Sequence, residues 1–440
     1  MWFIPMLMVT GAILLAYGCI RIDTASGDSF DRFYPQPFAG GADSIRMMLS
    51  AIATSMITVS GITFSLTISS LAQASAQLTA RVLRNFTSSV TNKLVLGFFV
   101  SLFVYCLIVM RAIRIKDDAA GPFIPALSVF VAMVLAIVGV GVLIYFIHYV
   151  ALSIQASTVV SSVADETLKT IDKLYPNRLA DDADDLLPTL QPADASQSIQ
   201  LVPANTNGYI QLIDEQKLAQ FAADQSIIVR VDAGTGDFVT QQSPLVALIG
   251  LGQTIDESTL KTINRAFTIR PSRTVDAEIG FGIRQLVDIA LKALAPSADD
   301  TTTAVLALDY LSAVLARLVQ RQLQPTTATG QFIPKYPSFA NLMAGALDQI
   351  RDTAGSNLVV LTRMLFLIQV VGRPTTNPAR RTVLLHHTRL LIEQANATLR
   401  TDYQRTLIHQ QLGETLLTLG EKADAFDDLL KPVSVAASFR

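Results

Sequence analysis

Four long stretches without an Asp, Glu, Lys or Arg occupy the first third of the chain, and they restrict its fold more than any other feature. They cover residues 2–20, 47–80, 94–110 and 119–164, and the last contains the titratable His148. About 20 apolar residues span the hydrocarbon core of a bilayer, and a charge at its centre costs about 2.5–3.5 kcal/mol or more. The stretches therefore predict four transmembrane helices rather than the buried helices of a soluble core.

The lengths of these stretches also predict where the chain leaves the membrane. The first lacks the basic residues that begin a signal peptide, so we expect it to be retained as a helix. The second has 34 residues, which make a helix about 51 Å long against about 30 Å of hydrocarbon. The fourth is longer still. In an up-down-up-down arrangement both excess lengths lie on one side, and we predict a helical stalk there that leads into a soluble part.

The second stretch is unusually rich in hydroxyl groups, since nine of the seventeen residues from Thr54 to Ser70 are Ser or Thr. At 100° per residue they fall on two opposite stripes of a helix. The first stripe contains Thr54, Thr58, Gly61, Ser65 and Ser69. The second stripe contains Ser60, Thr63, Thr67 and Ser70.

Two interpretations of this helix stay open. Small residues let transmembrane helices approach closely, and their hydroxyls bond to carbonyls of the same or a neighbouring helix, so both stripes can serve packing. In a ring of subunits, one stripe can instead pack while the other lines a pore. Gln73, Gln77 and Arg81 continue toward the stalk, as a polar vestibule or as a solvated helix end. His148, near the end of the fourth stretch, is a candidate pH sensor or an interfacial imidazole bonded to a backbone carbonyl.

Charge and cysteine usage separate the rest of the chain from this region. Residues 1–150 hold 9 Lys+Arg and 6 Asp+Glu, whereas residues 151–440 hold 25 and 30. An acidic balance lacks the basic footprint of a nucleic-acid-binding domain, so we expect no nucleic-acid partner. Cys19 and Cys106 both lie in the apolar stretches, which excludes a disulfide framework or a cysteine metal site in the remainder.

The predicted fold class is a membrane α-helical domain of four transmembrane helices, followed by a soluble α+β region with a small β unit and then an α-helical bundle. Gly234 and Gly236 predict a tight hairpin in the β unit, and Thr254 with Glu257 predicts a capping box that opens the helical part. The predicted domains are 1–155 (transmembrane), 156–198 (helical stalk and acidic linker), 199–253 (β-rich unit) and 254–440 (helical domain).

Motifs for chemistry are scarce. The chain has no GxxxxGK[ST] phosphate loop, no G-x-S-x-G and no H-E-x-x-H, so we expect neither an enzyme nor a cofactor. His386 and His387 are adjacent and splay apart on a helix, so a metal site would need His409 as well, and we expect none. Arg284 and Asp288 predict a structural i,i+4 ion pair. The acidic run 181–185 is interpreted as a solvated linker rather than a cation site.

Three segments, "SMITVSGITFSLTISSLAQASAQLTARVLRNF", "VLGFFVSLFVYCLIVMRAIR" and "FIHYVALSIQ", resemble an uncharacterised family of predicted bacterial inner-membrane proteins. The matching positions are Ser55, Met56, Thr58, Gly61, Phe64, Ser65, Ala74, Ser75, Gln77, Arg81, Asn85 and Phe86. "NGYIQLID" and "FGIRQLVDIALKALAPSADDTTTA" match as well, although residues 295–304 lack an Asn and a second Pro of the family pattern. The similarity covers about residues 1–325.

The resemblance implies a multi-pass protein of the bacterial cytoplasmic membrane and no particular activity, since the family is a domain of unknown function. It favours a cytoplasmic soluble part, whereas the distribution of Lys and Arg leans weakly the other way. We expect a homo-oligomeric, channel-like or transport protein for an ion or small solute, with the second helix lining or packing beside the conduit. The alternative is a membrane-anchored scaffold or sensor whose soluble helical domain binds a protein partner.

Overall fold

A computed structural model of the chain divides into two compact units, Met1–Thr158 and Val159–Arg440. It describes residues 3–26, 42–77, 90–114, 123–153, 155–177, 198–252, 254–275, 278–323 and 331–421. The acidic run 181–185 lies outside these residues.

The first unit consists of long helices that coincide with the four uncharged stretches. They are α1 (Phe3–Ser26), α2 (Ala42–Gln77), α3 (Val90–Ala112) and α4 (Ala126–Ser153). Helix α3 is central, because it makes the most extensive contacts with the other three. Its Phe99, Tyr105 and Cys106 are completely buried. Five helices in the described residues are long and apolar enough to cross a membrane: these four and Thr301–Leu318 in the second unit.

The outer surface of this unit is apolar. Ile137 and Ile144 of α4 are 72% and 65% exposed, and Phe3 and Met6 of α1 are also uncovered. Soluble proteins rarely expose a continuous apolar surface of this kind. Hydrocarbon is the solvent that suits it, and the helices satisfy their own backbone hydrogen bonds there.

A glycine lets α1 and α3 approach closely. A Cβ atom built on Gly97 would lie 2.7 Å from the Met8 sulfur and 3.1 Å from the Pro5 Cα. Because hydrocarbon provides no hydrophobic force between helices, such close backbone contact stabilises their association.

An aspartate connects the end of α1 to the start of α4. Asp23 accepts hydrogen bonds from the backbone N–H groups of Leu127 (2.9 Å) and Ser128 (3.1 Å) and from the Ser128 hydroxyl (2.7 Å). These amides are the N2 and N3 donors of α4, which a helix cannot satisfy internally. Pro125 precedes α4 and has no side-chain acceptor, so Asp23 supplies the cap from another helix. Its side chain is therefore buried.

The second unit contains nine helices and seven strands in the part that is described. The helices are α5 (Ala156–Leu174), α6 (Glu215–Gln225), α7 (Glu257–Asn264), α8 (Ile279–Ala293), α9 (Thr301–Leu318), α10 (Phe339–Ala354), α11 (Leu358–Gly372), α12 (Pro378–Thr398) and α13 (Asp402–Leu419). The strands are β1 (Ile199–Pro203), β2 (Gly208–Ile213), β3 (Ile228–Val231), β4 (Phe238–Val239), β5 (Pro244–Ile249), β6 (Phe267–Arg270) and β7 (Phe332–Ile333).

The segment predicted as a stalk is a packed helix of the second unit. Helix α4 ends at Ser153 and α5 starts at Ala156, so the fourth stretch does not form one long rod. The apolar face of α5 is buried, and Thr167 lies so close to Gly282 of α8 that a Cβ there would be 2.1 Å from its hydroxyl. Asp172 accepts from Arg317 (2.9 Å) and Arg321 (2.5 Å), which ties the end of α5 to the end of α9.

The strands form two small sheets with orders β1-β5-β3-β7 and β4-β2-β6. Strands β3 and β7 run parallel, and the other pairs are antiparallel. Strand β5 is buried along most of its length and forms the centre of the core between sheets and helices. Strands β6 and β7 come from beyond residue 253, so the β-rich part is not confined to the predicted 199–253. Both are too short to give a period-2 pattern that sequence could reveal.

Two local predictions in this part are wrong. Gly236 has a positive φ of 93°, but β3 pairs with β5 while β4 pairs with β2, so the turn from Gly234 to Gly236 connects different sheets and is not a hairpin. Helix α7 begins at Glu257, and its N-cap is Asp256, whose carboxylate accepts from the Thr259 N–H (2.9 Å). Asp256 is adjacent to the first helical residue, so it caps in place of Thr254.

One prediction in the helical part is confirmed, since Arg284 pairs with Asp288 at 2.8 Å. The N-cap of α9 is Asp300, which accepts from the Thr303 N–H (3.0 Å). Helix α9 packs between α8 and α11. The fully buried Arg380 of α12 donates to the carbonyl oxygens of Val319 (2.8 Å) and Arg321 (3.0 Å) just after α9. It thereby satisfies backbone acceptors that end the helix.

Candidate functional site

Helix α2 covers one of its two hydroxyl stripes within its own unit. Ser60, Thr63 and Ser70 are buried, and Thr67 is half-buried. This face contacts α3 and α4. Thr63 and Thr67 donate to the carbonyl oxygens of Ser60 (2.9 Å) and Thr63 (2.8 Å), so their hydroxyls are satisfied without a neighbouring helix. This stripe is a packing surface.

The opposite stripe, which contains every candidate pore-lining residue, is uncovered. Its members are all exposed: Thr54, Thr58, Gly61, Ser65 and Ser69. A Cβ atom built on Gly61 would meet no atom within 4 Å. The stripe therefore does not pack against another described helix of the same chain.

The uncovered stripe is a polar strip between apolar borders. Ile57, Phe64 and Ile68 lie on one flank, and Ile62 and Leu66 on the other; all five are exposed. Thr58 back-bonds to the carbonyl of Thr54 (2.8 Å), whereas Ser65 and Ser69 make no side-chain hydrogen bond to a described residue. Their hydroxyls are available to water, a solute or another helix.

The remaining candidates on the membrane helices stay predictions. Gln73 and Gln77 belong to α2, but their side chains lie outside the described residues, as does Arg81. His148 is exposed on α4, and its ring forms no hydrogen bond to a residue that the structure describes.

His387 and His409 of the second unit contact different side chains. His387 is buried with Nδ1 3.6 Å from an Asp348 oxygen, and His409 Nε2 lies 3.2 Å from Asn396 Oδ1. Among the described residues, no group of three or more His, Cys, Asp or Glu side chains lies at metal-binding distance.

A cavity of about 820 Å³ lies wholly in the second unit, and no sequence pattern predicted it. Its wall combines the end of α5, the strands β2 and β6, the start of α6, the turn before β4, the start of α8 and the segment between β7 and α10. Its polar lining includes Lys173, Tyr175, Gln211, Glu215, Asp237, Glu278, Lys335, Tyr336 and Asn341. Volumes of about 300–1,000 Å³ are typical of small-molecule sites.

One side of this cavity has a carboxylate between phenol groups. Glu215 is the first residue of α6, and the Tyr336 hydroxyl donates a hydrogen bond to its carboxylate. Burial raises the pKa of Glu215 above its ordinary value, and the bond from Tyr336 opposes that shift. Burial, with the negative field of Glu215 and Glu278, raises the pKa of Tyr175 to about 12. The three groups therefore share one low-dielectric corner.

A second carboxylate in the cavity is already paired. Glu278 precedes α8 and accepts from Arg273, with Nε at 2.9 Å and a second bond from Nη2. Burial raises the pKa of Glu278, and Arg273 opposes it. A Cβ atom on Gly236 would lie 2.2 Å from the Glu278 carboxylate, so only glycine fits there.

Asp237, the third carboxylate of the lining, is also paired. Lys335 donates to its carboxylate (2.9 Å) and to the Asp232 carbonyl oxygen (2.9 Å). The chemistry of the cavity thus comes from segments far apart in the chain, which explains why no local motif revealed it.

Comparison with known proteins gives a family without an assigned activity. The sequence model of the family described as "Predicted membrane protein (DUF2254)" matches residues 1–369. Uncharacterized proteins of Mycobacterium tuberculosis (strain H37Rv) and Mycobacterium bovis (strain AF2122/97) are each 32% identical over 421 residues, covering 92% of this chain and 78% of the relative. No solved structure matches the chain.

Proposed function

The chain belongs to the DUF2254 family of predicted membrane proteins, and from that premise we propose that it forms a homo-oligomer in which α2 lines or packs beside a conduit for an ion or small solute. The single observation that supports this is the uncovered stripe of α2. Lipid tails offer no partner to Ser65 and Ser69, whereas a water-filled path or a second copy of the chain does. The stripe has no charge, so hydroxyl groups and the diameter would govern selectivity.

In this proposal the four helices of the first unit cross the membrane and α9 does not. Helix α9, the fifth apolar candidate, contains Asp309 and Arg317, and its apolar face is covered by α8 and α11. Arg363 of α11 donates to Asp309. A helix with ion pairs along its sides suits a soluble domain better than hydrocarbon.

The proposed location is the bacterial cytoplasmic membrane, with the soluble part in the cytoplasm. The family resemblance supports this side, although the Lys and Arg residues do not. A fluorescent reporter that folds only in the cytoplasm, fused after Arg440, tests it. If that fusion is not fluorescent, and a reporter that is active only in the periplasm is active at the same position, the soluble part lies on the periplasmic side.

Flux through liposomes tests conduction. We expect purified protein to release a trapped ion or small solute faster than empty vesicles under at least one voltage, tension or pH. Replacing Ser65 and Ser69 by Leu should abolish release while the oligomer stays intact. Gly141→Leu is the matched control, because Gly141 of α4 is likewise exposed with no atom within 4 Å of a built Cβ.

The outcomes of that experiment separate the two interpretations of α2. Loss of the oligomer in the double variant would make the stripe a packing surface alone. Absence of release from wild-type protein under every condition would remove the conduit.

A membrane-anchored sensor or scaffold is the second candidate, and the cavity in the soluble unit favours it. In this alternative the helical domain transmits the state of the cavity to a protein partner. In either case we propose a role that is not enzymatic, since the sequence has no phosphate-loop, nucleophile-elbow or zinc-protease motif.

A further inference from the structure

We propose that the cavity of the second unit binds a small organic cation, whose amine or guanidinium group contacts the Glu215 carboxylate beside Tyr175 and Tyr336. The inference does not depend on whether α2 lines a conduit. It rests on the ion pairs of the carboxylates in the cavity, on its aromatic lining and on its volume.

The ion pairs of the cavity leave one carboxylate for a ligand, since Lys173, the other cation of the lining, is exposed and pairs with none of the three carboxylates among the residues described. Of the three that line the cavity, Glu278 is held by Arg273 and Asp237 by Lys335. Glu215 receives the Tyr336 hydroxyl, and no cation lies within ion-pair distance of it among the residues described. A partly buried carboxylate without a cation is costly for the folded state. A cationic ligand would remove that cost when it binds.

The lining provides further groups that suit an organic cation. Tyr175 and Tyr336 line the cavity, and the negative faces of aromatic rings attract ammonium and guanidinium groups. The side chains of Gln211 and Asn341 can hydrogen-bond to the rest of the ligand. A volume of about 820 Å³ exceeds what a bare ion needs, and the described residues place no three metal-ligating side chains together.

The whole cavity lies within the part of the chain that the family model matches. Its lining runs from Lys173 to Leu342, entirely inside residues 1–369 that the family model matches. Helices α12 and α13 lie beyond that match and contribute nothing to the lining.

Binding to the full chain in detergent or nanodiscs tests the proposal directly. The probes are 1,4-diaminobutane and agmatine as cations, 1,4-butanediol as their neutral counterpart and succinate as their anionic counterpart. We expect at least one cation to bind, measured by calorimetry and by a rise in Tm, and the diol and succinate not to bind. Failure of both cations, or tighter binding of succinate, would overturn the proposal.

Glu215→Gln is the most specific test. If Glu215 binds the cation, the substitution should weaken cation binding and raise the Tm without ligand; if its role is only structural, cation binding should not change. The amide still accepts from Tyr336 but needs no cation. We expect cation binding to weaken about tenfold or more, as for loss of a charged hydrogen bond, while the Tm without ligand rises. Glu257→Gln is the matched control, because Glu257 is an exposed glutamate on α7 that pairs with Lys261 outside the cavity, and neither quantity should change.

A second variant keeps the test decisive if the first folds poorly. Tyr175→Leu removes an aromatic face and should weaken cation binding several-fold. Cation binding that survives both substitutions within twofold would place the ligand elsewhere and refute the proposed site.

Discussion

The cap that Asp23 provides for α4 yields a quantitative prediction. In Asp23→Ala, the N–H groups of Leu127 and Ser128 lose their acceptor, and Pro125 cannot replace it. A buried donor left unsatisfied costs about 1–3 kcal/mol, and loss of an N-cap costs about 0.5–2 kcal/mol. For two backbone donors, one of which is fully buried, we expect the first unit to lose about 3 kcal/mol, or about a hundredfold in its opening equilibrium.

Thiol labelling measures this opening in the first unit alone. The chain has two cysteines, Cys19 and Cys106, and both are buried there. In a Cys19→Ser background, a maleimide should react with Cys106 at a rate set by the population of the opened unit. We expect labelling of the Asp23→Ala protein to be about a hundredfold faster than that of the parent.

Two variants make the result interpretable. Asp23→Asn keeps an amide oxygen as acceptor, so its labelling should fall between the parent and the alanine variant. Asp43→Ala removes an exposed acidic residue from the first turn of α2 and should change the rate less than about threefold. Equal rates for Asp23→Ala and the parent would show that Asp23 does not stabilise α4.

Three further perturbations follow from the packing. Gly97→Leu should prevent α1 from docking on α3, so that Cys106 reacts with maleimide, whereas Gly141→Leu should leave Cys106 protected. Equal protection of Cys106 in both variants would refute the close contact between α1 and α3. Arg380→Met should lower the stability of the second unit by about 3 kcal/mol, because two backbone carbonyls lose a charged donor; thermal unfolding followed by circular dichroism measures it, and an unchanged Tm contradicts it. Burial lowers the pKa of His387, so the unfolded chain takes up a proton first and stability should fall as the pH drops below about 6.5. Denaturant midpoints between pH 7.5 and 5 should show a smaller decline in His387→Gln, and an equal decline would exclude His387.

The residues of α2 show which structural features the sequence pattern can predict and which it cannot. Its helical period placed the hydroxyl groups on two opposite stripes, and the structure has one stripe buried and the other exposed. The period could not tell which stripe is covered, because that depends on the positions of α3 and α4. Similarly, the sequence predicted Thr254 as the cap of α7, and only the observed start of that helix at Glu257 identifies Asp256 as its N-cap.

The sequence by itself determined that the opening third suits hydrocarbon, because the absence of charge over a bilayer length is a local property of the chain. It also determined the small β-like runs and the amphipathic helices of the remainder. Only the tertiary structure decided that Asp23 caps α4 about a hundred residues away, that β6 and β7 complete the sheets, and that Glu215 shares a cavity with Tyr175 and Tyr336. Each of these depends on contacts between distant segments, whose partners are selected by packing and charge rather than by spacing along the chain.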